Sequence, residues 1–210
     1  MSRIHPAEKK CQGPTREVVY PSVFTVWKKS SMTFQGTDGF TVFNGGGRLA
    51  FRVDNYSRKY RCLVLMDGAG KALLTLRPQI LSMQYQWNGF NGDYGRTKSP
   101  RIPVFSMRRR SMLLRGNDEA EIFMGGPTNQ AVTPDFRIDG SFRRRRCKIR
   151  GSTGEVVAEI TRKKVNTTIL LSEDVFSLNI HPGLDCELIM AFIVVMDRIC
   201  LKPFAPVLCS

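Results

Sequence analysis

Short stretches of alternating apolar and polar residues, separated by turn residues, run along most of the chain from Val23 onward. Residues 40–43 precede Asn44-Gly-Gly-Gly47 and residues 48–53, and Asn-Gly is a strong hairpin signal because both residues tolerate positive φ. Residues 61–66, the turn Asp67-Gly-Ala-Gly70 and residues 71–76 repeat the arrangement. The first half of the chain therefore predicts two antiparallel hairpins.

The second half continues the β pattern. A third hairpin is predicted from residues 142–150, a turn at 151–154 and a return strand at 155–161, while 88–103 is predicted to be a loop. Further strands are predicted at 82–87, 104–109, 120–124, 136–138, 167–171 and 174–180. Turns spaced by roughly 10 residues are typical of an all-β sandwich or barrel. No long amphipathic helical pattern lies between the predicted strands, so a parallel βαβ sheet is not expected.

One segment near the C-terminus breaks this pattern. Asp185 is a good N-cap, and it precedes the apolar run Leu188–Met196. A helix over 185–200 would be ~22 Å long and apolar on every side, so it must be buried all round. The run is shorter than the about 20 residues that span a membrane, so β-sheet should wrap it. We expect an all-β closed barrel around a central helix, with a helix between two sheets as the alternative.

The domain organisation follows from the same pattern. The 210 residues are enough for one domain with a substantial core. Residues 1–20 are polar, contain proline and glycine, and show no sustained period, so they are expected to form a flexible tail. We expect a single barrel domain over 21–203 and a second tail over 204–210.

Charge is the loudest compositional signal. The fractions of 42% hydrophobic and 24% charged residues are ordinary for a globular protein, but 32 basic residues stand against 18 acidic ones, for a net charge of +14. This excess invites a polyanionic partner such as nucleic acid, anionic lipid or a phosphorylated ligand. Half of this excess positive charge lies in and just after the third hairpin, which contains nine basic and two acidic residues.

Strand parity predicts which hairpin residues face outward. Cys147 and Ile149 are expected inside, so Arg146, Lys148 and Arg150 should point out. Phe142 has the wrong parity for this strand, so we expect a bulge among the arginines. On the return strand, the residues expected inside are Val156, Ala158 and Ile160, and those expected outside are Glu155, Val157 and Glu159.

Three interpretations of the basic hairpin remain open. It could be a solvated edge strand whose cations block strand pairing and pair with Glu155 and Glu159. It could bind anionic phospholipid headgroups, or it could bind nucleic acid or carry a nuclear-import signal within Arg143–Arg146. The hairpin has few aromatic residues on which nucleic-acid bases could stack, which makes the nucleic-acid interpretation less favoured. The predicted anion-binding residues are Arg146, Lys148, Arg150, Lys163 and Lys164.

No motif indicates catalysis, a metal or a cofactor. The only histidines are His5, in the tail, and His181, so a Cys or Ser nucleophile lacks a well-placed base. The sequence holds no C-x-x-C or H-E-x-x-H motif, and the turn at Asp67 does not match a phosphate loop. We therefore expect no enzyme activity. The lack of an N-terminal apolar signal run, with scattered cysteines, predicts an intracellular protein in the cytoplasm, at the inner face of the plasma membrane or in the nucleus.

A series of short motifs resembles a known family. The matching motifs are Asp38-Gly-Phe40, Asn44-Gly-Gly-Gly47, Leu65-Met-Asp67-Gly-x-Gly70, Leu76-Arg77-Pro78, Ser82-Met83, Trp87, Phe136-Arg-Ile-Asp-Gly140, Val157-Ala-Glu159 and Phe176-Ser-Leu-Asn-Ile-His-Pro-Gly183. The apolar helix up to Asp197 follows. Their order and spacing resemble the plant LURP-one-related proteins over roughly residues 18–200.

This resemblance implies a fold and a set of functions. The fold is that of the tubby C-terminal domain, a barrel of about twelve strands around a central hydrophobic helix. The family is similar to phospholipid scramblases and to tubby-like proteins, some of which are membrane-tethered transcription regulators that bind phosphoinositides. Some plant members are associated with defence, so an interaction scaffold with unknown protein partners is a further alternative. The family supplies no catalytic residues, and scramblase features, a cysteine-rich cluster and a calcium loop, are not found.

Overall fold

Twelve strands and one helix make up the described part of the chain. The computed structural model describes residues 21–28, 39–53, 62–79, 86–92, 102–109, 119–125, 133–164 and 169–201. The tails predicted at 1–20 and 204–210 lie outside these ranges. The elements are β1 (Ser22–Trp27), β2 (Phe40–Asn44), β3 (Leu49–Val53), β4 (Leu63–Asp67), β5 (Ala72–Gln79), β6 (Gln86–Asn91), β7 (Phe105–Arg109), β8 (Ala120–Met124), β9 (Phe136–Ser141), β10 (Arg146–Gly151), β11 (Val156–Arg162), β12 (Val175–Ile180) and α1 (Cys186–Leu201).

The strands form one closed antiparallel barrel. Each strand pairs with its neighbour in sequence, and β1 pairs with β12 from Ser22↔Ile180 to Trp27↔Val175 to close the circle. Closure removes every free edge from the sheet. The predicted all-β closed barrel is confirmed, and the alternative of a helix between two sheets is wrong because there is a single closed sheet.

The apolar helix lies inside this barrel. All residues from 189 to 200 are buried, and the Phe192 ring packs against Phe105 of β7 at 4.9 Å and Phe136 of β9 at 5.5 Å. Asp185 caps the helix as predicted, since its Oδ1 accepts hydrogen bonds from the backbone N–H of Glu187 at 2.8 Å and of Leu188 at 3.3 Å. No helix among the described residues is long and apolar enough to cross a bilayer.

The first two hairpins are confirmed, with a turn chemistry that differs in detail from the expectation. Asn44 Oδ1 accepts hydrogen bonds from the N–H groups of Gly46 and Arg48, both at 3.0 Å. Positive φ falls on Gly47, at 74°, rather than on the residues that directly follow Asn44. Asp67 Oδ1 plays the same role in the second turn, which ends at Gly70. The side chain before the glycines therefore organises each turn.

Strand β6 lies further along the chain than predicted. The expected strand at 82–87 overlaps it only at its last two residues, residues 82–85 lie outside the described ranges, and Asn88–Asn91, expected in a loop, are strand. Gly89 explains the error. A Cβ at this position would overlap the ring of Phe105, so the glycine permits close packing between β6 and β7 and does not mark a turn.

The start of the third hairpin also differs from the prediction. Strand β10 begins at Arg146, and residues 142–145 form a turn after β9, so the expected strand from 142 and its bulge among the arginines are wrong. The hairpin itself is present as β10 and β11, and its bulge lies near the turn, where the register shifts from Ile149↔Ala158 to Arg150↔Val156. Consequently Val157 is buried and Val156 is half-buried, against the expected parity.

The barrel has two distinct ends. The register places the turn 142–145, the end of β11 at Arg162, the start of β12 and Lys28 at the end where α1 finishes, here called the basic end. The turns 44–47, 67–70 and 151–154 lie at the opposite end. Of the predicted strand 167–171, residues 167–168 lie outside the described ranges, and only a bridge between Lys164 and Leu170 is present.

Candidate functional site

The outer face of β10 carries a row of cations. Cys147 and Ile149 are buried in the barrel, so the residues between them point outward, as the parity predicted. Arg146 and Lys148 are exposed, and Arg150 is half-buried. The row therefore presents three positive side chains to solvent along one strand.

These cations line a shallow groove over three neighbouring strands. The groove has a volume of about 380 Å³ and runs across β9, β10 and β11. Its lining residues are Asp139, Gly140, Arg146, Cys147, Lys148, Arg150, Glu159, Ile160 and Thr161. The groove thus combines three basic side chains with two acidic ones and a hydroxyl.

Two of the three cations have acidic partners. Lys148 Nζ lies 3.5 Å from Glu159 Oε1, and Arg150 Nε donates to Asp139 Oδ2 at 3.1 Å. These four side chains are 40–48% exposed, so each pair is weak and open to exchange. Arg146 makes no ion pair with any residue that the structure describes.

Lys163 and Lys164 lie just beyond the groove. Cys147 pairs with Ile160, which places Arg146 opposite Thr161, and the two lysines follow the end of β11 in the same direction. Lys164 is exposed and Lys163 is half-buried. Three of the five residues predicted from the sequence therefore line the groove, and the other two follow β11 at the basic end.

The run of four arginines at 143–146 contains one buried and three exposed side chains. Arg143 Nη2 donates to the backbone oxygen of Cys200 near the end of α1 at 2.7 Å, and Arg145 is buried. Arg143, Arg144 and Arg146 are exposed, and of these Arg143 also contacts the end of α1. Sequence reasoning missed this division, and the unexpected parity of Phe142 was its only local signal.

Arg145 forms part of a buried charge cluster at the basic end. Its Nη2 lies 3.8 Å from Asp197 Oδ1 on α1, and Lys28 Nζ lies 3.2 Å from the same oxygen. The guanidinium stacks over the rings of Phe142 at 4.5 Å and Phe176 at 4.3 Å. Burial lowers the pKa of Arg145, and Asp197 opposes that shift. The cluster ties the turn, β1 and the central helix together.

The interpretation of the hairpin as an edge strand is wrong. Strand β10 pairs with β9 on one side and β11 on the other, so its cations protect no free edge. Glu159 does pair with Lys148, but Glu155 instead accepts a hydrogen bond from the Thr153 hydroxyl, which lowers the pKa of Glu155.

Among the described residues, no cluster of His, Cys, Asp or Glu could hold a metal ion.

Together these observations define a single-barrel protein with a buried central helix and a basic groove on its outer wall. The chain belongs to the LURP-one-related family, whose model matches residues 22–197. This range covers all twelve described strands and most of α1. The resemblance noted from the sequence motifs is therefore confirmed.

Relatives and a solved structure agree with this assignment. The chain is 37% identical to Protein LURP-one-related 5 of Arabidopsis thaliana over 178 residues, which are 82% of this chain and 80% of the relative. It is also 37% identical to Protein LURP-one-related 12 of the same plant, over 81% of this chain and 75% of the relative. A crystal structure of an Arabidopsis thaliana protein aligns with a TM-score of 0.61 at 22% identity, over 86% of this chain and 92% of that one, which shows a shared fold.

Proposed function

We propose that this chain is a non-enzymatic binding module that attaches to anionic membrane surfaces through the basic groove on β9–β11. The observation that carries the proposal is the outward row of Arg146, Lys148 and Arg150 on a strand with no free edge. Basic residues near an anionic bilayer each contribute about 1 kcal/mol to attachment. Lys163 and Lys164 extend the same surface.

Phosphoinositides are the proposed headgroups. Several phosphates on one ring could engage Arg146, Lys148 and Arg150 together, and they would compete with Asp139 and Glu159 for the last two. A headgroup with a single negative charge would replace the carboxylates of Asp139 and Glu159 less effectively than several phosphates would. In this proposal the chain is a tubby-like, membrane-tethered regulator, and a role in plant defence is its proposed setting.

The test is co-sedimentation with phosphatidylcholine vesicles, with and without phosphoinositide, at physiological salt. Neutralising the row in R146Q/K148Q/R150Q should weaken binding by at least tenfold and by up to about a hundredfold, because each of the three charges is worth up to about 1 kcal/mol. The control R48Q/K71Q removes two exposed cations from turns at the opposite end of the barrel and should bind like the wild type.

A second variant raises the charge of the groove. Glu159→Gln frees Lys148 from its carboxylate partner, so binding should strengthen by about twofold to fivefold. Wild-type binding that is equal for neutral and anionic vesicles would overturn the proposal. Affinity for DNA that falls steeply with salt, without lipid selectivity, would favour a nucleic-acid partner instead.

A further inference from the structure

The segment that follows β11 doubles back on itself at the basic end. Lys164 and Leu170 form an antiparallel bridge, and the N–H of Leu171 donates to the backbone oxygen of Lys163 at 2.9 Å. Residues 163–164 and 169–171 therefore run side by side past the end of the barrel wall. We call these five residues the tip.

The tip exposes two large aliphatic side chains in succession. Ile169 is 55% exposed and Leu170 is 44% exposed. Neighbouring residues of an extended segment point to opposite sides, so exposure of both means that both sides of the tip face solvent. About half of the surface of each side chain is therefore open to solvent.

The base of the tip is held firmly. Arg162 Nη2 donates to the backbone oxygen of Leu171 at 3.1 Å, and Arg145 Nε donates to that of Glu173 at 2.7 Å. The N–H of Lys28 donates to the backbone oxygen of Asp174 at 2.8 Å. Because Arg145 is itself fixed by Asp197 and two aromatic rings, the tip projects from a rigid support.

The charges around the tip match an anionic membrane. Lys164 sits beside Leu170, and Lys163, Arg144 and Arg146 lie at the same end of the barrel. Two acidic residues, the exposed Glu173 and the half-buried Asp174, lie near the base of the tip. Exposed aliphatic residues flanked by cations are typical of segments that enter the interface of a bilayer, since the chains reach the acyl region while the cations stay among the headgroups.

We propose that Ile169 and Leu170 insert into the membrane interface, so that the basic end of the barrel faces the bilayer. This inference rests on the proposed membrane binding and adds an orientation and an apolar anchor to it. Electrostatic attraction through the groove and insertion of the tip are separate contributions, because the first is screened by salt and the second is not.

The test uses phosphatidylcholine vesicles that contain phosphoinositide, at low and at high salt. I169S/L170S should lower vesicle affinity about tenfold at both salt concentrations, whereas K163Q/K164Q should act mainly at low salt. The control is Ile102→Ser, which removes an 83% exposed isoleucine between β6 and β7, at the opposite end, and should bind like the wild type.

Insertion itself is read from Ile169→Trp. Its added fluorescence should shift to the blue on anionic vesicles and be quenched by lipids with brominated acyl chains, relative to the wild-type signal of Trp27 and Trp87. Wild-type binding with an unaffected I169S/L170S and no quenching would overturn the insertion and leave membrane binding intact. Failure of the wild type to bind anionic vesicles would overturn both.

Discussion

At the scale of single residues, Arg145 shows how a basic side chain can serve the fold. It is the only non-glycine residue with positive φ in the described part of the chain, at 54°, and it closes a turn in the way that Gly47 and Gly154 close others. A positive φ strains the backbone of any residue other than glycine. The buried contacts of its guanidinium to Asp197, Phe142 and Phe176 offset that strain.

Two neighbours in the arginine run should therefore respond very differently to truncation. Arg145→Ala should lower the free energy of unfolding by about 3 kcal/mol, because it removes one partner of a buried ion pair. Arg144→Ala, at an exposed position, should change it by less than about 0.5 kcal/mol. Urea denaturation measures both, and equal losses would contradict the division of the run.

At the scale of elements, the packing of β6 against β7 depends on Gly89. Gly89→Ala places a methyl group against the Phe105 ring, so it should cost about 2 kcal/mol of unfolding free energy. The matched control is Gly45→Ala, because the nearest atom to an added Cβ there is the Val23 oxygen at 3.9 Å. Thermal unfolding of the pair measures the difference, and equal melting temperatures would show that the strands separate easily.

The elements that the sequence predicted correctly are those with local signals. Asn44 and Asp67 bond to their own turns, and Asp185 bonds to the first turn of α1, so a few adjacent residues determine each structure. The displaced strands lack this property. The role of Gly89 depends on Phe105 and that of Arg145 on Asp197, and both partners are distant in sequence.

The same distinction applies to the candidate site. Parity along β10 was enough to predict that Arg146, Lys148 and Arg150 point outward. Their acidic partners could be foreseen only in part, because Asp139 lies on a strand that was not predicted to pair with β10. The unexpected parity of Phe142 was the only local signal that Arg143 and Arg145 contact α1.

At the scale of the whole molecule, the core is shared by every strand and the helix. Phe192 is fully buried and touches rings from β7 and β9 on the inside of the closed sheet. Phe192→Asp should abolish the cooperative unfolding transition, because a charge there cannot reach water. Phe192→Leu should keep the cooperative transition and lower the free energy of unfolding by about 1 kcal/mol. Cooperative unfolding of Phe192→Asp, followed by circular dichroism, would show that the helix is not enclosed.

The position of α1 after all twelve strands has a consequence for biosynthesis. The ribosome makes the whole barrel wall before it makes the helix that fills it, and β1 must wait for β12 to complete the circle. During translation the apolar inner faces therefore have no permanent occupant. We therefore expect the barrel to complete its folding only once β12 and α1 have both emerged from the ribosome.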